Sequence, residues 1–333
     1  MAEWLYEAGI GENRAALVEG GRILEMVIER ADAAGPRVGA VLQARLLRKA
    51  DASGRGLALL VGGVNAQLIP VPGDVTEGGA LTVEVIRESL REGTETKPLR
   101  VRPAPPDAVP TDGPDLLRRI ETTGLRVHRL GSGCDLLEDH GWSEALEEAA
   151  SGLVASSDVL LRISPTPAMT LIDVDGAASA VEVAIAGARA AGEVIRRFGI
   201  TGSIGIDLPT LIGKADRQAA AAALDSALPQ PFERTAVNGF GFLQLVRRRE
   251  RASLIEQLMA DSPGAAALAL LRHGERARGH GELVLHAHPN VIERLATRPD
   301  WIEMLARRVG ASVALRADER LAISAGHASR ATP

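Results

Sequence analysis

Met169-Thr170-Leu171-Ile172-Asp173-Val174-Asp175-Gly176 and Gly202-Ser203-Ile204-Gly205-Ile206-Asp207-Leu208-Pro209 are two short apolar runs that reach aspartates at their ends. Residues 177–198, between them, are Ala-rich and follow a helical period. The order is strand, helix, strand. A right-handed crossover makes the two strands parallel and close in space. Side chains at the carboxyl ends of such strands face the crevice where α/β proteins bind ligands. Asp173 and Asp207 then converge, and Asp175 shares the face of Asp173 if the first strand runs on. Such oxygen donors suit Mg²⁺ or Mn²⁺. The plain alternative is that these aspartates cap the helices that follow them.

The 333-residue chain suits about two or three domains. It holds no run of apolar residues long enough to span a membrane, and its N-terminus, Met1-Ala2-Glu3-Trp4, does not resemble a signal peptide. The single cysteine, Cys134, reads as a small buried apolar residue and excludes an internal disulfide or a multi-Cys zinc site. A cytoplasmic protein is the expected reading. The net charge of −5 counts against a strong nonspecific nucleic-acid binder. Lys49, Lys97 and Lys214 are the lysines; arginine carries the rest of the positive charge. Arginine pairs bidentately with phosphate, but genomic base composition is the better account of these totals. Aromatics, at 2%, leave few base-stacking platforms.

Outward from the central unit, Leu17-Val18-Glu19-Gly20-Gly21-Arg22-Ile23-Leu24 predicts a hairpin within residues 3–30. Residues 36–102 hold short β-type segments at 38–45, 56–61, 66–71 and 81–88, separated by Gly, Pro and Asp, which suggests a small barrel. Residues 103–114 carry five prolines and read as a linker. Helix, strand, helix and strand follow over 115–163. Beyond Asp207 the pattern predicts a helix over 214–228, a strand over 232–237, the turn Asn238-Gly239, a further strand or helix start leading into Arg247-Arg248-Arg249, a helix running to about Met259 and a break at Ser262-Pro263-Gly264. Residues 265–327 form a small α/β module. His286-Ala287-His288 lies on a strand, and this pair reads as surface or packing.

Taken in order, these pieces resemble the ribonuclease E/G family of endoribonucleases. Residues 12–21 resemble the hairpin of its ribonuclease H-like subdomain, and residues 35–46 the entry to its inserted OB-type barrel. Thr170-Leu171-Ile172-Asp173-Val174-Asp175-Gly176 is similar to the motif T-x-[VI]-D-I-N-[TS]; residues 202–207 are similar to G-G-[IL]-I-[IV]-I-D. Val237-Asn238-Gly239-Phe240 with Arg247-Arg248-Arg249 resembles V-N-G-F…[TS]-R-[KQ]-R, and residues 283–289 resemble the closing small domain. The resemblance implies an α/β fold with five parts. These are a hairpin (1–35), an OB-type barrel (36–102), a linker with a shortened ribonuclease H-like part (103–158), a DNase I-like nuclease core (159–262) and a small C-terminal α/β domain (263–333). It implies Mg²⁺ on Asp173 and Asp207, cleavage of single-stranded RNA, and 5′-phosphate and 3′-hydroxyl ends.

The departures are specific. Asp175 stands where the family has Asn, and either adds a ligand or repels the scissile phosphate. Thr210 replaces a second acidic residue, and Ala184 and Ala186 lie near the family's helix Asn and Glu. No cysteine pair occurs at 259–264, so neither zinc nor a zinc-linked tetramer is expected, while a homodimer is compatible. Residues 103–158 leave little room for a 5′-monophosphate sensor. The barrel region contains no Phe, Tyr or Trp. Arg247 and Arg251 would share a helix face, and with Arg248 and Arg249 they either bind RNA phosphates or pair with Glu250 and Glu256. Arg217 is a phosphate ligand or simple surface, and Asn238 a turn residue or an RNA contact. The rival to an active nuclease is a family member that binds RNA without cutting it.

Overall fold

The computed structural model describes all residues except 34, 53, 93–94, 106, 132–134, 157 and 331–333, so Cys134 lies outside the described residues. The chain opens on an antiparallel meander of β1 (Glu3–Ala8), β2 (Glu12–Glu19) and β3 (Arg22–Arg30), with Gly20-Gly21 as the second turn. Next come β4 (Val41–Arg48), β5 (Gly56–Leu60), β6 (Asn65–Leu68), β7 (Ala80–Arg87), the short hairpin β8 (Leu90–Glu92) and β9 (Glu95–Lys97), and β10 (Leu99–Pro103). Helix α1 (Leu116–Glu121), β11 (Val127–Leu130), α2 (Leu136–Asp139) and α3 (Trp142–Ser151) follow. The central run is β12 (Leu153–Ala155), β13 (Val159–Pro165), β14 (Thr170–Gly176), α4 (Ala180–Arg197), β15 (Gly202–Asp207), α5 (Lys214–Ala227), β16 (Glu233–Arg234) and β17 (Phe242–Arg247). The chain ends with α6 (Leu254–Ala260), α7 (Ser262–Arg276), β18 (Leu283–Ala287), α8 (Pro289–Ala296), α9 (Pro299–Val309), β19 (Val313–Ala317) and β20 (His327–Arg330). Among the described residues no helix is long and apolar enough to cross a membrane.

Two compact units result: residues 1–33, 124–150 and 257–333, and residues 34–123 with 151–256. In the first, the sheet order is β11-β1-β2-β3, with β11 parallel to β1. A second sheet, β19-β18-β20, packs its apolar side with α7, α8 and α9 around Leu268, Leu271, Leu285, Trp301 and Leu305, and Ile10 from the β1–β2 turn joins this core. The helix expected to run to about Met259 is α6, which ends at Ala260; the break falls at Asp261, and Ser262-Pro263-Gly264 forms the first turn of α7. Asp261 caps it by accepting from the Gly264 N–H at 2.9 Å, and Pro263 fits the first turn because no intrahelical partner awaits an N–H there.

A buried ion network ties β1 and β2 to α7 within this unit. Arg14 is 1% exposed and meets Glu7 and Glu12, each at 2.6 Å. Arg272 and Arg276 of α7 both pair with Glu7 and Asp135, and Arg272 also meets Glu138 at 3.2 Å. Burial by itself raises the Glu7 pKa, but Arg14, Arg272 and Arg276 outweigh it and hold the carboxyl below its ordinary 4.5. A carboxylate whose folded pKa is depressed contributes stability above the unfolded value, and that contribution fades as pH falls through the folded one. Acid unfolding should therefore steepen below pH 4.5, and Glu7→Gln should flatten that limb. Thermal melts from about pH 7 to pH 3 measure this; identical slopes for parent and variant would contradict it.

In the second unit, β10-β6-β5-β4-β7 close into an OB-like barrel. Alternation explains it: Ala44, Leu46, Ala58, Leu60, Ala66, Leu68, Val83, Val85, Leu99 and Val101 face inward and fill the core. The fifth strand, β10, closes the barrel by pairing parallel to β6 and antiparallel to β7. Part of the Pro-rich linker is docked on the barrel, since Thr111 and Val41 exchange backbone hydrogen bonds of 2.9 and 3.0 Å.

The other sheet of this unit runs β12-β13-β14-β15-β17-β16. β14 and β15 are parallel, as the crossover requires, and the remaining pairs are antiparallel. Helix α4 starts at a capping box in which Ser179 and Glu182 satisfy each other's backbone N–H groups. Its small residues let it lie close on β14: a Cβ at Gly187 would stand 2.2 Å from Val174 Cγ1. Ile172, Val174, Ile204 and Ile206 are buried. The alternate residues of β14 and β15 fall on the opposite face, which no helix of the pair α4 and α5 covers. The strand expected over 232–237 shrinks to Glu233–Arg234.

Candidate active site

Strand register places four side chains in one row across the open sheet face. Arg162 of β13 pairs with Asp173 of β14, Asp173 pairs with Asp207 of β15, and Asp207 pairs with Phe242 of β17. Adjacent strands lie about 4.8 Å apart, so each side chain touches or nearly touches the next. Asp173, Asp175 and Asp207 are all exposed. Asp175 does share the face of Asp173, because β14 continues through Gly176. Its role differs from that of its neighbour. Arg162 Nη1 ion-pairs with Asp175 and stands 3.3 Å from Asp173 Oδ2. The Asp175 contact holds the Arg162 guanidinium above its usual pKa. The Asp207 carboxylate has no hydrogen-bond or ion-pair partner among the described residues.

Like charges placed directly opposite on neighbouring strands are destabilising. Asp173 against Asp207 is such a pair, with Asp175 beside it and one guanidinium to offset three carboxylates. Local rules of this kind are broken at functional sites more than elsewhere. Asp173 and Asp207 do not cap helices: α4 is capped by Ser179 and α5 follows Gly213 without a side-chain cap. Among the described residues no group of three or more His, Cys, Asp or Glu is arranged to hold a metal ion. The donor set here is two adjacent carboxylates, the number that Mg²⁺ takes when water and substrate phosphate complete its shell.

Gly205 and Phe242 shape the floor of the site. A Cβ on Gly205 would lie 2.5 Å from Phe242 Cζ and 3.1 Å from Leu171 Cδ2, so the tip of the Phe242 ring occupies the space that a side chain at this position would take. The loop at 238–241 closes one edge. Asn238 Oδ1 accepts from the N–H groups of Phe240 and Phe242 at 2.9 and 3.0 Å. Asn238 is therefore the turn residue of this loop. Gly241 has φ +92°, and a Cβ there would stand 2.1 Å from the Leu208 carbonyl oxygen, so glycine alone fits. Arg217 Nη1 donates to the carbonyls of Leu211 and Ile212 at 2.7 and 2.9 Å, which fixes the loop after Asp207.

The arginine cluster corrects the helical expectation. Arg247 is the last residue of β17, paired with Gly202, and 248–251 are irregular, so Arg247 and Arg251 do not share a helix face. The β15 ladder outcompetes a helix here. The cluster is also engaged internally. Arg247 donates to the Ile200 carbonyl at 3.1 Å, Arg249 pairs with Glu256 at 2.5 Å, Arg251 with Glu88 at 3.1 Å, and Arg248 with Glu250 at 3.2 Å. Arg248, 67% exposed, is the freest of the four.

Unpaired positive charge lies elsewhere in the unit. Arg45, Arg48, Lys49 and Arg55 are exposed around the β4–β5 connection of the barrel, and their side chains have no ion-pair partner among the described residues. In OB folds the loop between the first two strands and the face of the second and third bind oligonucleotides. The segment expected as strand, 38–45, reaches Arg45 but not Arg48; β4 runs on to Arg48, and its antiparallel pairing with β5, Arg48 opposite Leu57, brings the two arginines to the end of the sheet where Arg55 lies. Comparison with known proteins found no matching family model and no matching curated protein.

Proposed function

We propose that this chain is a Mg²⁺-dependent endoribonuclease of the ribonuclease E/G type, cutting single-stranded RNA to 5′-phosphate and 3′-hydroxyl ends. The observation that carries the reading is the Asp173–Asp207 pair, adjacent in register, exposed on an open sheet face, with Asp207 unpartnered. Two hard oxygen donors fit Mg²⁺, or Mn²⁺ in its place. When bound, such an ion supplies a hydroxide at neutral pH and neutralises charge on the transferring phosphoryl group. Arg162 fixes Asp175 and orients Asp173, leaving Asp207 free to bind. The barrel supports the reading with its fold and its four free cations, which bind backbone phosphates without reading sequence. Under this proposal the meander with β11 is the ribonuclease H-like part, and the six-stranded sheet with α4 and α5 is the nuclease core. The reading includes no zinc.

A second reading has its own observation. Arg162 sits against both Asp173 and Asp175, which weakens the acidic site as a metal trap. The alternative is a family member that binds RNA and no longer cuts it. One assay separates the two: a 5′-labelled, unstructured RNA incubated with the protein in Mg²⁺ or in EDTA, with binding followed in parallel by anisotropy. The nuclease reading expects cleavage in Mg²⁺ and none in EDTA. Binding without cleavage selects the second reading, and neither binding nor cleavage rejects both.

A further inference from the structure

The chain has four Phe, three Trp and one Tyr, and seven of these eight aromatic side chains are buried or half-buried. Phe240 is the exception at 82% exposed. A single exposed apolar residue needs no special account in general. Phe240 differs because the loop holds it out by three separate contacts. Asn238 Oδ1 accepts from its N–H, Thr210 Oγ1 donates to its carbonyl at 3.4 Å, and Gly241 packs against the Leu208 carbonyl in a conformation other residues avoid. The ring is displayed, with no role in the core of the unit. It also has a fixed relation to the acidic row: Phe242, two residues on, is the cross-strand partner of Asp207, and Leu208 N–H donates to the Gly241 carbonyl at 3.3 Å. Across from it the 208–213 loop, clamped by Arg217, exposes Ile212 at 96%.

An exposed aromatic on a loop whose backbone is fixed next to a two-carboxylate strand pair suits a base when the substrate is a nucleic acid strand. We infer that Phe240 stacks on an unpaired base next to the scissile phosphate, so that the site accepts only RNA whose base is free to unstack. The inference rests on the ribonuclease reading. Stacking needs a π-face and no sequence-specific hydrogen bonds, so Phe240 selects single-stranded over duplex RNA while tolerating any base. It also supplies what the barrel lacks, since residues 36–102 contain no aromatic side chain.

The test measures binding in Ca²⁺ in place of Mg²⁺, so that it does not depend on turnover. A fluorescein-labelled RNA about ten nucleotides long, within the OB-fold site-size range, is titrated with the parent, Phe240→Ala and Phe240→Tyr, each checked for folding by circular dichroism. The same RNA with one abasic position, scanned along its length, is the second ligand. The expected result is binding weakened roughly tenfold or more in Phe240→Ala and restored in Phe240→Tyr. At one abasic position the parent should lose a similar factor, and Phe240→Ala should lose nothing further. Equal affinity of parent and Phe240→Ala overturns the stacking role while leaving the ribonuclease reading in place. Absence of RNA binding by the parent removes both.

Discussion

Asp207→Asn is expected to abolish Mg²⁺-dependent RNA cleavage to within a small residue of the parent rate. Metal-assisted charge stabilisation is worth several kcal/mol, and 1.36 kcal/mol is a factor of ten, so the expected loss is roughly two to four orders of magnitude. Asp173→Asn should match it, because the two carboxylates are register partners and form one site. Asp175→Asn should cost far less, since that carboxylate is already engaged by Arg162. The folded state should not suffer in either of the first two variants: each removes one of two facing like charges, so melting in EDTA should be unchanged or slightly higher. The parent should gain thermal stability from Mg²⁺ and the variants should not; an ion at ten times its Kd contributes about 1.4 kcal/mol. Initial rates on a labelled RNA, with melts in Mg²⁺ and in EDTA, measure all of this. Cleavage by Asp173→Asn and Asp207→Asn at the parent rate would remove the site from the reaction.

That experiment was legible in the sequence to the extent that period and punctuation allow. The strand, helix, strand order of 169–209 follows from local pattern, and the two aspartates fall where that pattern ends. The barrel followed from short alternating segments between turn residues. What escaped depends on partners far away in the chain. Arg162 carries no motif, and its place in the row exists only because β13 pairs antiparallel with β14 in one register. Leu99-Arg100-Val101-Arg102-Pro103 runs straight into the Pro-rich stretch, so nothing local marks it as the strand that closes the barrel. Arg247 to Arg251 reads as helix by spacing, and the backbone bonds offered by Gly202 and Ser203 override that reading. Arginine clusters in sequence also say nothing about carboxylate partners at 88 or 256, which is why the densest basic run is the less available one.

Arg14→Ala is expected to destabilise the fold strongly, unlike the changes in the acidic row. Glu12-Asn13-Arg14 looks like ordinary hairpin surface, yet strand pairing turns Arg14 inward to 1% exposure, with Glu7 and Glu12 at 2.6 Å and the Leu268 carbonyl at 3.2 Å from Nη2. Removing a buried ion's partner leaves the other charge without compensation, at a cost of about 3–5 kcal/mol. Here two carboxylates lose a partner together. Glu7 keeps Arg272 and Arg276, but among the described residues Glu12 has no ion pair besides Arg14. The unit of residues 1–33, 124–150 and 257–333 should therefore melt roughly ten degrees lower or more. Arg14→Lys should recover only part of the loss, because a single ammonium on a flexible stem cannot reproduce the fork that meets two carboxylates at once. Arg14→Met combined with Glu12→Gln should lie closer to the parent than Arg14→Ala, since the charge stranded by the single change is gone. Calorimetric melts of the four proteins at pH 7 rank them. Arg14→Ala within about 1 kcal/mol of the parent would mean that water reaches Glu7 and Glu12, and the network would then be a surface feature, contrary to its burial.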